Sequence, residues 1–430
     1  MKNSGIKWIG EIPDEWEVKK VKHSFVRKNE KAMQENPTVL SLARSGVKER
    51  DISNNEGQLA ESYYNYNPVD IDDLLINPMD LYSGANCSIS KVKGVISPAY
   101  INLRAKKNVS PVFYDYYFKV QYWTMAFFAH GNGVSFENRW TLNNETLQNY
   151  PIVAPSFETQ QRIASYLDKK CSKIEETIQN QQQVIEKLKA YKQSLITEAV
   201  TGKIKIQNGK VCGKYESYKE SGVEWIGKIP SGWETPKIQY ISTISSGTTP
   251  NRSQPKYWNG DVNWIKTGEL QNNRLFEVEE KITQTAVKEC SLQILPLNTV
   301  LIAMYGQGKT RGMTALLKTP STTNQACAAL IVNSKKLSSD FLWHCLIGAY
   351  NAIRADAEGS GQPNLNSENI KKFHITLPSS IEEQEYICNY LDKKCTVIDT
   401  AIEQKQNLIE KLTEYKKSLI YECVTGKKEV

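Results

Sequence analysis

The hydrophobic positions of this chain fall into two long runs of one period. From Leu167, steps of four and three residues reach Cys171, Ile174, Ile178, Gln181, Ile185, Leu188, Lys192, Leu195 and Ala199. From Leu391 the same steps reach Cys395, Ile398, Ile402, Lys405, Ile409, Leu412, Lys416, Leu419 and Cys423. Each run reads as the heptad seam of a long helix, interrupted by polar residues at the same two steps. Charged and Gln-rich residues fill the other faces, and Gly202 and Gly426 stand where a C-terminal cap would. At about 1.5 Å per residue each run makes a rod of roughly 60 Å. A rod that long cannot hide its seam against one small domain, so the two seams are expected to pack on each other within the chain.

The runs are copies of one another. Residues 160–202 align without a gap on 384–426, and Tyr166-Leu167-Asp168-Lys169-Lys170-Cys171 returns as Tyr390-Leu391-Asp392-Lys393-Lys394-Cys395. A second repeat opens each half: Trp8-Ile9-Gly10-Glu11-Ile12-Pro13-Asp14-Glu15-Trp16 recurs as Trp225-Ile226-Gly227-Lys228-Ile229-Pro230-Ser231-Gly232-Trp233. Two Trp eight apart around a Gly and a Pro make a hydrophobic clamp, and the end of a long helix is its expected apolar partner. Between clamp and rod, each half carries a globular region. The first is expected to have strands over 74–76, 88–92 and 99–103 and a helix over 111–128. The second is expected to have strands over 300–303, 314–317 and 328–332 and a helix over 339–355. The expected division is a first domain over 1–156, a helix over 157–203, a polar, Lys-rich linker over 204–220, a second domain over 221–379 and a second helix over 380–430. The fold class is therefore α/β: two similar small mixed α+β domains and two long helices in tandem duplication.

Composition narrows the chemistry. With 54 Lys and Arg against 47 Asp and Glu, the net charge of +7 over 430 residues permits nucleic-acid binding through local patches without demanding it. Nine cysteines with no C-x-x-C spacing read as free thiols of a reducing compartment. Only His23, His130, His344 and His374 are available and there is no H-E-x-x-H, which argues against a zinc hydrolase. No run approaches eighteen apolar residues and the start lacks the apolar core of a signal peptide, so a cytoplasmic protein is expected.

Ala303-Met304-Tyr305-Gly306-Gln307-Gly308-Lys309-Thr310 fits a relaxed P-loop. A true P-loop opens a helix, so that backbone amides face the phosphates, whereas Arg311-Gly312-Met313-Thr314-Ala315 reads as a turn into another strand. The loop suits contacts to phosphates and base edges better, through Tyr305, Gln307, Lys309 and Arg311. Other candidate DNA-contacting residues in the second region are Thr248, Asn251, Arg252, Tyr257, Lys266 and Gln362. In the first region they are Arg44, Lys48, Ser83, Asn86 and Asn132. Arg and Lys can address guanine, and Asn and Gln adenine. Catalytic motifs are not found: there is no G-x-S-x-G, and Asn77-Pro78-Met79-Asp80 lacks the second Pro and the aromatic of an amino-methylating N-P-P-Y type motif.

The doubled W-I-G-x-I-P-x-x-W clamp, followed each time by Gln160-Arg162-Ile163-Tyr166-Leu167-Asp168 or Gln384-Tyr386-Ile387-Tyr390-Leu391-Asp392, resembles the specificity subunit of type I restriction-modification systems. The resemblance implies two target recognition domains separated by two long antiparallel coiled-coil helices in pseudo-twofold relation, each domain reading one half of a split, asymmetric DNA site. It further implies a non-catalytic subunit that holds no cofactor itself. Two methylation subunits would bring S-adenosylmethionine, and restriction and translocase subunits ATP and Mg. One departure is that the first domain reads Ser41-Leu42-Ala43-Arg44 where the second has Gly247-Thr248-Thr249-Pro250, so the two domains are expected to dock differently. Two alternatives stay open on the residues alone: a coiled-coil interaction protein without a DNA role, and an NTP-binding enzyme using the 303–310 loop.

Overall fold

Both seams fold as helices of 44 residues, Phe157–Val200 and Ile381–Val424, in the computed structural model of the protein. The structure describes residues 1–430 apart from 44, 53–59, 61, 80, 82–85, 134–139, 307 and 356–363. The first helix starts where the Ser156 hydroxyl accepts the Thr159 N–H at 3.2 Å. Both helices end at a glycine: Gly202 and Gly426 take φ of +71° and +72°. The N–H groups of Lys203 and Lys427 then return to the carbonyls of Glu198 and Glu422, closing the orphan acceptors of the last turn.

By internal contacts the chain divides into two compact units, 1–182 with 406–430, and 183–405. Each contains a segment of both long helices and one globular region.

In the first unit the main sheet is antiparallel, in the order Phe25–Lys28, Ile101–Ala105, Leu74–Ile76, Cys87–Ile89. The helix Pro111–Trp123 covers one face and buries Phe113, Tyr114, Tyr117 and Phe118 completely. The clamp closes this core from the helix end. Trp8 lies 6.4 Å from the Tyr421 ring, and a Cβ on Gly426 would come within 2.3 Å of Pro13 and 3.3 Å of Trp16. Thr159, Arg162 and Ile163 line a surface pocket with Gly426 and Lys427, while Cys171 and Glu175 line a cleft with Lys416 and Ile420. The two helical segments of this unit therefore run in opposite directions.

The second unit repeats these devices with different side chains. Its main sheet runs Ser242–Ser246, Cys327–Val332, Val300–Ala303, Thr314–Leu317, Asn273–Leu275, antiparallel except for the last, parallel pair. A second sheet joins Glu280–Ile282, Trp258–Ile265 and Ser321–Thr323. Trp233 is buried against the end of the first long helix, where a Cβ on Gly202 would meet Pro230 at 2.4 Å.

The repeated motif residues have repeated jobs. Buried Gln160 accepts the Ser110 N–H at 2.8 Å and donates to the Pro155 carbonyl, and buried Gln384 accepts the Ser338 N–H at 2.9 Å and donates to the Lys336 carbonyl. Ser110 and Ser338 are the N-caps of the helices Pro111–Trp123 and Ser339–Gly348, so each glutamine ties the start of a long helix to the start of a globular one. Polar steps of the seam are also repeated. Lys416 pairs with Glu175 in the first unit, and Lys192 with Asp399 at 2.7 Å in the second.

Three expectations need correction. The helix expected over 111–128 stops at Trp123, because the Met125 N–H bonds the Tyr122 carbonyl in a tighter turn and Met125 takes φ +59°. The helix expected over 339–355 breaks at Ala349 into Ser339–Gly348 and Tyr350–Ala355. Segment 204–220 is partly structured: Ile206–Gln207 pairs with Lys210–Val211 around Asn208-Gly209, both at positive φ, and Tyr218–Glu220 pairs with Lys228–Pro230. Asn-Gly is the two-residue signal of a tight hairpin, and it was present in the sequence.

Candidate nucleic-acid interface

Strand register places the candidate residues of the second unit at one end of its main sheet. Ser246 is opposite Ala328, Ala303 opposite Cys327 and Ile302 opposite Thr314. The loops that leave these ends, 247–257, 304–313 and 324–326, therefore emerge together, with 266–272 alongside through the Asn272 N–H bond to the Thr314 carbonyl. They are tied to one another: Thr248 donates its N–H to the Thr323 carbonyl, Met304 to Ala326, and the Thr249 hydroxyl bonds Gln325.

Thr248, Asn251, Arg252, Tyr257 and Lys266 all belong to this cluster, but several are already engaged. Arg252 Nη1 donates to Glu280 at 2.7 Å, and Lys266 Nζ lies 2.8 Å from the other Glu280 oxygen. The hydrogen bond from Arg252, then that from Lys266, holds the Glu280 carboxyl below the usual carboxylate range. Tyr257 donates its hydroxyl to Glu289 at 2.7 Å, which pushes the phenol up. Asn251 accepts the Ser253 N–H through its side chain, and Thr248 is exposed.

The 304–313 loop is followed by the strand Thr314–Leu317, as the sequence indicated, so it opens no helix that could seat a nucleotide phosphate. Its backbone is braced instead. Tyr350 donates to the Lys309 carbonyl at 2.7 Å, and Arg354 to the carbonyls of Arg311 at 2.8 Å and Gly308 at 2.9 Å. With these acceptors occupied, the Tyr305 and Lys309 side chains stand exposed. Gln307 and Gln362 lie outside the described residues, as do Arg44 and Ser83 of the first unit.

In the first unit, Ile76 is opposite both Cys87 and Ile101, so Asn77 and Asn86 lie together at that end of the sheet, the Asn77 N–H bonding the Asn86 carbonyl. Asn86 donates its side-chain amide to the Ala43 carbonyl at 3.0 Å. Asn132 is held by a two-way backbone bridge to Thr141, and Leu142 bonds Pro78, so Asn132 belongs to the same end. Lys48 is exposed on the hairpin formed by Leu40–Ala43 and Gly46–Glu49. Trp264, Glu280, Gln325, Tyr350 and Arg354 carry no local signal: each acts on a loop through contacts 14 or more residues away, and strand pairing and the helix Tyr350–Ala355 bring them there.

Among the described residues no group of three or more His, Cys, Asp or Glu is placed to hold a metal, and no helix is long and apolar enough to cross a membrane.

In this arrangement, and in sequence, the chain is similar to specificity subunits of type I restriction enzymes. Residues 230–413 match the family described as type I restriction modification DNA specificity domain. The chain is 33% identical over 195 residues to the type I restriction enzyme MjaIX specificity subunit of Methanocaldococcus jannaschii, covering 44% of this chain and 43% of that protein. The MjaVIII specificity subunit of the same organism is 24% identical over 374 residues, with 83% and 80% covered. Thus the chain spans less than half the length of the first relative and four-fifths of the second. Among solved structures, a chain from a study of complex assembly and conformational transition of the type I R-M system superposes with a TM-score of 0.72 at 15% identity, over 97% of this chain and all of that one. The HsdS subunit from Thermoanaerobacter tengcongensis gives 0.51 at 14% identity, over 97% and 98%. At these identities the superpositions support the fold alone.

Proposed function

We propose that the chain is a sequence-specific DNA-binding subunit in which each globular region reads one half of a bipartite, asymmetric site. The observation that carries this is the gathering of Thr248, Arg252, Lys266, Tyr305 and Lys309 at one end of a single sheet, inside the segment that matches the specificity-domain family. Short donors and cations on braced loops are what base edges and phosphates require. The long helices act as an antiparallel coiled-coil frame for the two reading domains, a reading supported by the opposed helical segments and by the Lys416–Glu175 and Lys192–Asp399 pairs. Two readers on one face of B-DNA must sit about one turn, roughly 34 Å, apart, and a rigid frame can set that distance.

On this reading the subunit has no catalytic role of its own. It recruits two methylation subunits, which supply S-adenosylmethionine chemistry, and restriction and translocase subunits, which use ATP and Mg, in the cytoplasm. Exposed apolar side chains recur at equivalent positions of the two helices, Val184 and Tyr191 on the first and Leu408 and Tyr415 on the second.

Binding of the chain with its methylation subunits to duplex DNA, followed against salt concentration, tests the proposal. A linear log-log decline with a slope of several units is expected. Salt-independent binding, or none to any duplex, would leave the coiled-coil interaction protein as the better reading.

A further inference from the structure

Arg252 is fixed by the same two rings that fix its loop. Its guanidinium carbon lies 4.0 Å from the Trp258 ring centroid and 5.0 Å from that of Trp264, and the two rings meet edge to face at 5.2 Å. Both indole N–H groups donate back into the loop, Trp258 to the Asn251 carbonyl at 3.1 Å and Trp264 to the Thr248 carbonyl at 3.0 Å. Glu280 accepts from Arg252 Nη1 at 2.7 Å. The Arg252 side chain nevertheless remains 55% exposed, beside a cleft of about 560 Å³ that it lines with Trp258, Glu280 and Lys281.

This arrangement is poorly suited to a general phosphate contact. Glu280 is shared by Arg252 and Lys266, so part of the local positive charge is cancelled where a phosphate would need it. It suits a reader of fixed direction. The cation–π contacts with the two indoles and the bond to Glu280 hold the guanidinium in place, while its N–H groups not bonded to Glu280 remain for a pair of acceptors. Guanine presents such a pair, O6 and N7, in the major groove. Holding the fork before DNA arrives also removes the ordering cost that a free arginine would meet on binding.

We propose that Arg252 reads one guanine of the half-site recognised by the second globular region, with Trp258 and Glu280 as its positioning residues. The proposal rests on the DNA-reading function above and adds to it a named base class and a positioning cage.

The test uses the full chain expressed with its methylation subunits, and the methylated motif read by long-read sequencing. Arg252→Lys keeps the charge but loses the fork, so one G·C position in one half of the motif should relax, discrimination there falling roughly ten- to a hundred-fold. The other half should be unchanged. Glu280→Gln should relax the same position more weakly, and Arg252→Gln should move its preference toward adenine. Arg252 is half exposed, so its two variants should melt close to the wild type, and a thermal scan checks all three. An unchanged motif with methylation lowered evenly at all sites would overturn the proposal, since that is the signature of a backbone contact. So would relaxation at a position that Glu280→Gln leaves intact, or loss of all methylation by variants that melt normally. A wild-type chain that directs methylation to no defined sequence would overturn the DNA-reading function itself, and the proposal with it.

Discussion

Replacing Gly426 by alanine tests how tightly the clamp is seated on its helix end. Two separate costs apply. At φ +72° an L-residue is strained by about 1–2 kcal/mol relative to glycine. The new Cβ would also stand 2.3 and 2.7 Å from the Pro13 ring carbons and 3.3 Å from Trp16, and overpacking of that kind costs about 1–3 kcal/mol. The sum is about 2–5 kcal/mol. Gly10→Ala is the internal control, because Gly10 has φ +73° but its nearest neighbour is the Lys427 ammonium at 4.0 Å, so only the strain applies. A chain of two compact units need not unfold in one step, so hydrogen exchange resolved by peptide is the suitable assay, read over 160–175 and 415–426. Gly426→Ala should lower protection there by about 1–3 kcal/mol more than Gly10→Ala does. Equal effects of the two substitutions would refute the close seating of Pro13 and Trp16 on the helix end.

Three further outcomes are expected. Burial alone would raise the Asp392 carboxyl, but hydrogen bonds from His344 and Arg274 outweigh it and hold the group down to about 2, against a usual 3.8. The stabilisation is therefore complete above about pH 4 and is lost as pH falls toward 2; Asp392→Asn, measured by denaturant unfolding across that window, should remove the acid step and about 1–2 kcal/mol at pH 7 after allowing for partial exposure. In the first unit Tyr116 donates to Asp168 at 2.8 Å from the matching place on the helix Pro111–Trp123, and Tyr116→Phe should cost about 1 kcal/mol in the same measurement. Lys309→Ala should weaken DNA binding evenly across sequences and reduce the salt slope by about 1, leaving the methylated motif unchanged.

The two long helices were readable from the sequence because the heptad spacing and its repeat are local signals. The seam steps, the capping glycines and the apolar partner of the clamp all have physical counterparts in Leu167, Gly202, Gly426 and Trp16. Strands at 74–76, 300–303 and 314–317 were equally legible as short apolar runs bounded by turn residues. What was not legible is long-range. The motif residue Asp168 meets a tyrosine, but its copy Asp392 meets Arg274 and His344, and no local pattern distinguishes the two. Arg252 and Lys266 were readable as candidate DNA contacts, yet Glu280, which ties them together, arrives from another strand of the second sheet. The early stop of the helix at Trp123 is set by Met125 adopting a left-handed backbone, which its side chain does not announce.

The central claim is that two separate domains read two halves of one site, and exchanging residues 20–155 for the corresponding domain of another specificity subunit tests it most directly. With the methylation subunits present and the motif mapped by long-read sequencing, one half of the methylated sequence should change while the other half stays as in the wild type. A change in both halves, or in neither, would contradict the account.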